Sequence, residues 1–261
     1  MIKAVFLDVD GTLVSFKTHE IPLSTRQAIA ELHEKGVKVF LATGRHILSL
    51  PHFGDLNFDG YIVINGGLCV SADKQPIYKH CIPKSNVKSM IKLQKTHPFP
   101  CLVMDDEGLF INYMNDVVDE VQKLKLFPNL KIRSLEESLQ RDIYQMVSFI
   151  SEEEEKTVKP HLPDCDSLRW HPAFTDFVPK GSSKAIGIDN IIAKFGIKLE
   201  ETMAIGDGGN DIAMLKHVGV GVAMGNASDK VKVAADYVTD SVDDDGLYNA
   251  LKHFGLVASN A

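Results

Sequence analysis

The stretch "IKAVFLDVDGT", residues 2–12, sets the fold class. It opens with a nearly continuous run of residues that favour β-structure, which is typical of a central parallel strand covered on both faces. Asp8 and Asp10 follow directly, so two carboxylates crowd together where a buried strand ends. Because like charges repel at this spacing, the rest of the sequence must supply something that offsets them.

The residues that follow continue the pattern of a parallel sheet. "PLSTRQAIAELHEKG", residues 22–36, predicts an amphipathic helix that ends at Gly36, where a left-handed conformation favours glycine. "VKVFLATG", residues 37–44, and "GYIVING", residues 60–66, predict two more buried strands. Strand, helix and strand at this spacing indicate a βαβ unit.

From about residue 82 to residue 178 the pattern of apolar and polar residues changes. The strands become alternating and half-polar, and the helices become longer and more charged. "CLVMDDEGLFIN", residues 101–112, predicts a hairpin, and "IYQMVSFI", residues 143–150, predicts a strand. This segment therefore has the character of an inserted α+β domain.

After Pro179 the βαβ pattern resumes. Short strands are predicted at "TMAIG" (202–206), "GVGVAM" (219–224) and "ADYVT" (235–239). Both ends of the chain therefore build one sheet. We predict an α/β fold: a doubly wound parallel-sheet (Rossmann-like) core with an inserted α+β cap domain. The predicted core is residues 1–81 and 179–261, and the predicted cap is residues 82–178.

Composition excludes several classes of protein. The formal net charge of -7 argues against a nucleic-acid binder, which needs clustered Lys and Arg. The four cysteines lie far apart, so the sequence suggests neither a zinc site nor a disulfide framework. Asp8 and Asp10 interrupt the N-terminal apolar run, and no stretch approaches the roughly 18 apolar residues that span a bilayer. We expect a cytoplasmic protein with no nucleic-acid or membrane partner.

Several polar motifs fall at the predicted carboxyl ends of the strands, where open parallel sheets bind ligands. Each motif alone occurs by chance in many chains, but their joint placement is specific. They are Asp8 and Asp10 after the first strand, "TGR" (Thr43–Arg45) after the second, "GDGGND" (Gly206–Asp211) after a late strand, and Lys184 in "KGSSK" at a helix start.

A divalent cation would offset the repulsion between the carboxylates. Asp8 and Asp207 can supply carboxylate oxygens and Asp10 its backbone carbonyl, and such hard donors without nearby His or Cys favour Mg²⁺ over zinc. Thr43, the Gly44 amide and Lys184 would then bind phosphate oxygens. In that arrangement Asp8 can attack phosphorus as a nucleophile, and Asp10 can move the proton.

"DVDGT", "TGR", "KGSSK" and "GDGGND", in this order, resemble the haloacid dehalogenase-like hydrolase superfamily and particularly its Cof-type phosphatases. Residues 205–227 resemble that subfamily's second signature throughout. The resemblance implies a Mg²⁺-dependent phosphatase that acts on a small-molecule phosphate monoester, with sugar (hexose) phosphates first and nucleotide-like or pyridoxal phosphates next. It implies these roles: Asp8 as nucleophile, Asp10 as acid/base, Thr43, Lys184 and Asn210 as phosphate contacts, Asp207 as a metal ligand, and Asp211 as support for the metal ligands through Lys184 or water.

Some residues have two interpretations from sequence alone. Arg45 reaches the substrate or pairs with a carboxylate of the core. Asp176 binds a sugar hydroxyl or is a surface carboxylate at a strand end. Trp170 is expected in the core of the cap rather than as a platform for substrate, and His171 is expected in an exposed loop.

Three other functions compete with the phosphatase. A sugar phosphomutase would use the same Asp8 and Asp10 but return the phosphoryl group to a second hydroxyl. A non-catalytic sugar-phosphate sensor would tolerate the loss of either carboxylate, and both are present. A dehalogenase needs neither Mg²⁺ nor the second aspartate, so Asp10 argues against it.

Overall fold

The computed structural model describes residues 1–124, 126–128 and 130–258. Its strands, in chain order, are β1 (Ala4–Leu7), β2 (Lys38–Ala42), β3 (Gly60–Val63), β4 (Leu68–Ser71), β5 (Pro76–Lys79), β6 (Cys101–Asp105), β7 (Gly108–Ile111), β8 (Lys131–Ile132), β9 (Gln145–Ser148), β10 (Cys165–His171), β11 (Phe174–Pro179), β12 (Thr202–Gly206), β13 (Val220–Ala223) and β14 (Tyr237–Val238). Its α-helices are α1 (Leu23–Glu34), α2 (Lys84–Gln94), α3 (Asp116–Gln122), α4 (Glu152–Val158), α5 (Lys184–Phe195), α6 (Ile212–His217), α7 (Asp229–Lys232) and α8 (Gly246–His253).

The chain divides into two compact units. The first comprises residues 1–44, 51–78 and 183–261, and the second comprises residues 45–50 and 79–182. Our division into a core and a cap, with boundaries near residues 82 and 178, remains a domain proposal.

The first unit is built on a sheet with the strand order β14-β13-β12-β1-β2-β3-β4-β5. The strands from β14 to β3 are parallel, and β4 pairs with β3 in the antiparallel sense. β1 is central, because it pairs with β2 on one side and with β12, which lies about 200 residues later in the chain, on the other. The predicted doubly wound α/β fold is therefore confirmed, with β4 and β5 as an addition that the sequence pattern did not reveal.

Helices cover both faces of this sheet. Val5, Leu7 and the facing residues of β2 and β12 pack with α1 and α8 in one buried cluster. Ala4 and Phe6 point the other way and pack with α5, α6 and α7 in a second cluster. Burial on both faces explains why the strands are continuous apolar runs, and it leaves the strand ends as the place for polar groups.

The second unit contains a mostly antiparallel sheet with the order β10-β11-β9-β6-β7-β8. β6 and β7 form the predicted hairpin, with Asp105 opposite Gly108. α2 and α4 contribute to a buried cluster on one face of this sheet. Ser151 and Glu154 form a capping box at the start of α4, as the sequence indicates for the acidic run there.

In this unit two expectations are wrong, and one of the two alternatives for Asp176 is excluded. Trp170 is 57% exposed rather than part of a core, because Leu168 and Trp170 lie on the open face of the edge strand β10. Asp176 is not a surface carboxylate: it lies within β11 and is 3% exposed. His171 is not in a loop, since it ends β10 and stacks on the ring of Phe174 with centroids 4.9 Å apart.

Among the described residues, we find no helix with the length and apolar character needed to cross a membrane.

Candidate active site

The turn after β1 carries the first part of the site. The amide of Asp8 continues the sheet by donating to the carbonyl of Ile205, and the chain then folds back so that the amide of Gly11 donates to the carbonyl of Val14. Gly11 has φ +86°, and a Cβ there would lie 2.3 Å from Oδ2 of Asp207. Only glycine allows this close approach, which brings the Asp8–Asp10 segment to the "GDGGND" loop.

Lys184 links two carboxylates from distant parts of the sequence. Its Nζ donates to Oδ1 of Asp8 at 2.5 Å and to Oδ1 of Asp211 at 2.6 Å. All three side chains are buried, and that of Lys184 has no exposed surface. The lysine is the first residue of α5, as predicted, and Ser183 caps that helix through the amide of Ile186. The buried ammonium therefore supplies the positive charge that the paired carboxylates require.

Asp211 also organises the loop that holds Asp207. Its Oδ2 accepts hydrogen bonds from the amides of Asp207 (3.0 Å) and Gly208 (2.8 Å). A Cβ on Gly206 would lie 2.5 Å from Cγ of Asp211, so glycine at the end of β12 makes room for this carboxylate. The loop is thus wrapped around a single buried side chain.

Two side chains hold the Asp207 carboxylate. Thr12 Oγ1 donates to Oδ1 at 2.9 Å, and Asn226 Nδ2 donates to Oδ2 at 3.2 Å. Asn226 also donates to the carbonyl of Gly11 at 2.9 Å and accepts from the amide of Val242 at 3.0 Å. The position of Asp207 is therefore fixed from both of its oxygens.

The electrostatics follow from burial and from neighbouring charge. Burial, followed by the nearby Asp211, raises the pKa of Asp8 despite the opposing Lys184 ammonium. Burial also raises the pKa of Asp207 to about 6, against the hydrogen bond from Thr12. For Lys184, burial disfavours the charged form, but Asp211 and Asp8 outweigh it and raise the pKa of the lysine. Three carboxyl groups thus share one buried ammonium, which is a surplus of acidic groups.

This surplus is suited to a cation. Asp8, Asp207 and Asp211 each offer one oxygen, and these oxygens lie within 4.8 Å of one another. Oxygen donors without a histidine or cysteine match the preference of Mg²⁺. The residues present therefore fit a hard divalent ion.

The predicted phosphate-binding residues lie on the same unit. Thr43 is buried at the end of β2, with its amide bonded to the carbonyl of Ile62 and its carbonyl bonded to the amide of Asn65. The carboxamide of Asn65 lies beside Gly44 and accepts a hydrogen bond from Asn210 Nδ2 at 2.9 Å. Asn65 therefore connects the "TGR" and "GDGGND" segments.

The two possible substrate residues belong to the second unit. Arg45 Nη1 donates to the carbonyl of Ser49 at 3.3 Å. Asp176 Oδ2 accepts from Trp170 Nε1 at 2.9 Å, while its buried Oδ1 has no hydrogen-bond partner among the described residues. Burial raises the pKa of Asp176 to about 7, against the lowering effects of the Trp170 N–H and of the nearby Gln145 side chain.

Sequence reasoning did not assign Asn65 or Asn226, and it gave Thr12 only a place in the turn. Asn65 has φ 52° and precedes two glycines, which is a signal for a tight turn at the end of β3. Asn226 lies in the recognised 205–227 signature, but its contacts are to residues about 20 and about 215 positions away. Spacing alone could not reveal such contacts.

Comparisons with known proteins identify the family of this chain. A sequence profile of haloacid dehalogenase-like hydrolases matches residues 5–251. The chain is 36% identical over 259 residues to the Bacillus subtilis protein named "Putative phosphatase YkrA", covering 98% of each. It is similar in structure to the phosphatase BT1666 from Bacteroides thetaiotaomicron, with a TM-score of 0.90, 41% identity and coverage of 98% of this chain and 96% of that one. It is also similar to the subclass IIB sugar phosphatase BT4131, with a TM-score of 0.84, 44% identity and coverage of 98% and 100%.

Proposed function

The chain belongs to the haloacid dehalogenase-like hydrolases and is a phosphatase, and from that premise we propose that it is a Mg²⁺-dependent phosphatase of small phosphorylated metabolites, hexose phosphates first among them. The observation that carries the proposal is the buried ammonium of Lys184, which bonds both Asp8 and Asp211 beside Asp207. A purely structural ion pair needs no third carboxylate. A site for transferring an anionic group needs both the cation and the nucleophile.

Asp8 and Asp207 are proposed to hold the ion with carboxylate oxygens and Asp10 with its backbone carbonyl. Asp211 is proposed to support them through Lys184, because its own oxygens already bond that ammonium and the amides of Asp207 and Gly208. When bound, Mg²⁺ would neutralise charge on the phosphate and so let one anion approach another. Lys184 would keep Asp8 oriented through Oδ1, which leaves the other oxygen, Oδ2, to attack. Thr43, Gly44 and Asn210 are proposed to hold the remaining phosphate oxygens, together with the third N–H of the Lys184 ammonium.

In the first step the Asp8 carboxylate attacks phosphorus, and the bond from phosphorus to the ester oxygen breaks. Asp10 donates a proton to that oxygen, so the product leaves as an alcohol. In the second step water attacks the phosphorus of the aspartyl phosphate while Asp10 takes back a proton. The bond from phosphorus to Asp8 breaks, and inorganic phosphate and the free carboxylate are restored.

The sugar phosphate preference rests on two points of support. The solved structure that is 44% identical to this chain is of a sugar phosphatase. In addition, Asp176 is a buried carboxyl group that Trp170 bonds at Oδ2, and its other oxygen, Oδ1, suits a donor such as a sugar hydroxyl. We therefore propose Asp176 and Arg45 as substrate contacts. The free cysteines fit the proposed cytoplasmic location.

Phosphate release from a panel of monoesters, with and without EDTA, tests the proposal. Wild type should release phosphate from hexose phosphates only when Mg²⁺ is present, and Asp8→Asn should lose at least about a thousandfold in kcat. Asp119→Asn, the same change at an exposed position, is the control. Full activity in Asp8→Asn would remove the covalent mechanism. Isomerised sugar phosphate in place of free phosphate would indicate the mutase, and binding without turnover would indicate the sensor.

A further inference from the structure

Phe16 is a large apolar side chain that stays 62% exposed beside the carboxylate cluster. The point where a Cβ of Gly11 would stand lies 2.5 Å from Cε2 of Phe16 and 2.3 Å from Oδ2 of Asp207. The edge of the ring therefore lies against the turn after β1 and next to the proposed metal ligand. Other exposed apolar residues of this unit, such as Val233, have no such neighbour among the contacts described.

The backbone around Phe16 is held in place on both sides. Ser15 Oγ donates to Asp243 at 2.6 Å and accepts from the amides of Lys17 and Thr18. The Lys17 ammonium pairs with the same Asp243 at 2.9 Å. The loop is closed by a hydrogen bond from the amide of Ser15 to the carbonyl of Glu20. The exposed ring of Phe16 therefore belongs to a loop whose backbone is fixed by hydrogen bonds and an ion pair.

The anchor of this loop is shared with the metal site. Asp243 follows Val242, whose amide donates to Asn226, and Asn226 donates in turn to Asp207. The positions of the Phe16 ring and the Asp207 carboxylate are thus set by one connected group of hydrogen bonds. When a phosphoryl group is held at the carboxylate cluster, the rest of the ligand would therefore have the ring of Phe16 at a fixed distance from that group.

We propose that Phe16 is a specificity-determining residue, whose ring packs against the apolar face of the leaving group. The inference rests on the proposed function and deepens it by naming the part of the substrate that the loop recognises. A phenyl ring offers no hydrogen bond, so it distinguishes leaving groups by carbon surface. The C–H face of a sugar ring would gain from this contact, whereas a methyl leaving group would gain little.

The test compares Phe16→Ala and Phe16→Leu with the control Val233→Ala, whose side chain is 88% exposed in the wild type. The measured quantity is the ratio of kcat/KM for glucose 6-phosphate to kcat/KM for methyl phosphate. Phe16→Ala should lower this ratio about tenfold, mainly through KM for glucose 6-phosphate, with Phe16→Leu between it and wild type. Val233→Ala should leave the ratio unchanged. An unchanged ratio in Phe16→Ala, or an equal loss for both substrates, overturns the inference.

A second experiment distinguishes failure of the proposed phosphatase function from failure of the proposed role of Phe16. If wild type hydrolyses neither ester, calorimetric titration of Asp8→Asn with glucose 6-phosphate still tests the contact. Weaker binding on adding Phe16→Ala to that variant supports the role of Phe16, and equal binding or no binding in either protein overturns it. Should Phe16→Ala fail to fold, as judged by circular dichroism, Phe16→Leu decides by the same criteria.

Discussion

Nζ of Lys184 lies 2.5 Å from Oδ1 of Asp8, and no part of the lysine side chain reaches solvent. The pair is therefore sensitive to the loss of either partner, because a buried charge that loses its counterion keeps its desolvation cost. Asp211 bonds the same ammonium, so removal of the lysine would expose two carboxylates to each other at once.

Lys184→Met should destabilise the protein by about 3–5 kcal/mol at pH 7.5, since it leaves buried carboxylates without a counterion. The loss should be smaller at pH 5, where protonation relieves the repulsion. Urea denaturation at both pH values measures this. Lys194→Met, in the exposed part of the same helix, is the control and should change stability by less than about 0.5 kcal/mol. Equal effects of the two substitutions would contradict a buried ion pair.

Mg²⁺ should raise the melting temperature more at pH 8 than at pH 5. The pKa of Asp207 is raised to about 6 and that of Asp8 is also raised, so both hold protons at low pH that the ion must displace. In EDTA, the native state keeps these protons at pH values where the unfolded chain has lost them. Their contribution to stability is therefore present at low pH and falls as pH rises through the folded pKa. Thermal denaturation in MgCl₂ and in EDTA measures the effect of Mg²⁺ at each pH. An equal rise in melting temperature at both pH values would contradict the prediction.

Asn226→Ala should weaken Mg²⁺ binding about 10–100-fold, because Asn226 orients the Asp207 carboxylate and ties it to the turn at Gly11. The dissociation constant is obtained from the Mg²⁺ dependence of the melting temperature. Asn249→Ala serves as the matched control, since that side chain bonds only Asp240 and Asp244 among the contacts described. If the two variants bind Mg²⁺ equally well, Asn226 has no part in holding the ligand.

Asp176→Asn should flatten the dependence of stability on pH. The folded pKa of Asp176 is raised to about 7 by burial, so the native state holds a proton there that the unfolded chain releases near its usual pKa of 3.8. The unfolding free energy of wild type should thus fall by about 2–4 kcal/mol relative to the variant as pH rises through this range. Urea denaturation from pH 4.5 to pH 8 provides the measurement. Parallel curves for wild type and variant would show that the carboxyl is not protonated in the fold.

Gly66→Ala should cost about 3 kcal/mol or more, because a Cβ there would lie 2.1 Å from the carbonyl oxygen of Ser183 at the start of α5. Gly255→Ala separates the steric clash from the backbone strain of a positive φ. Gly255 also has positive φ, but nothing lies within 4 Å of its Cβ position. That substitution should cost about 1 kcal/mol. Denaturant midpoints for the two variants measure the difference, and similar losses would mean that the contact with Ser183 is not tight.

The rule that ligands bind at the carboxyl ends of parallel strands was enough to bring Asp8 and Asp207 together from sequence, whereas Lys184 was placed by its position at a helix start. That rule works because strand direction alone fixes which edge of the sheet receives each side chain. Trp170 and Asp176 could not be assigned in the same way. When other elements cover only one face of an antiparallel sheet, the side chains on that face are buried. A short strand with alternating residues does not show which of its two faces that is. Asn65 and Asn226 were missed because their partners lie far away in the chain.

The place of β1 between β2 and β12 has a consequence for protein synthesis. While the ribosome has produced fewer than about 200 residues, β1 has a partner on one side only, and its other edge presents unpaired backbone groups. A nascent or truncated chain of that length would carry Asp8 and Lys184 without Asp207 and Asp211. Such a chain has an unpaired strand edge and an incomplete carboxylate cluster, so we expect a premature stop before β12 to favour aggregation as well as to abolish activity.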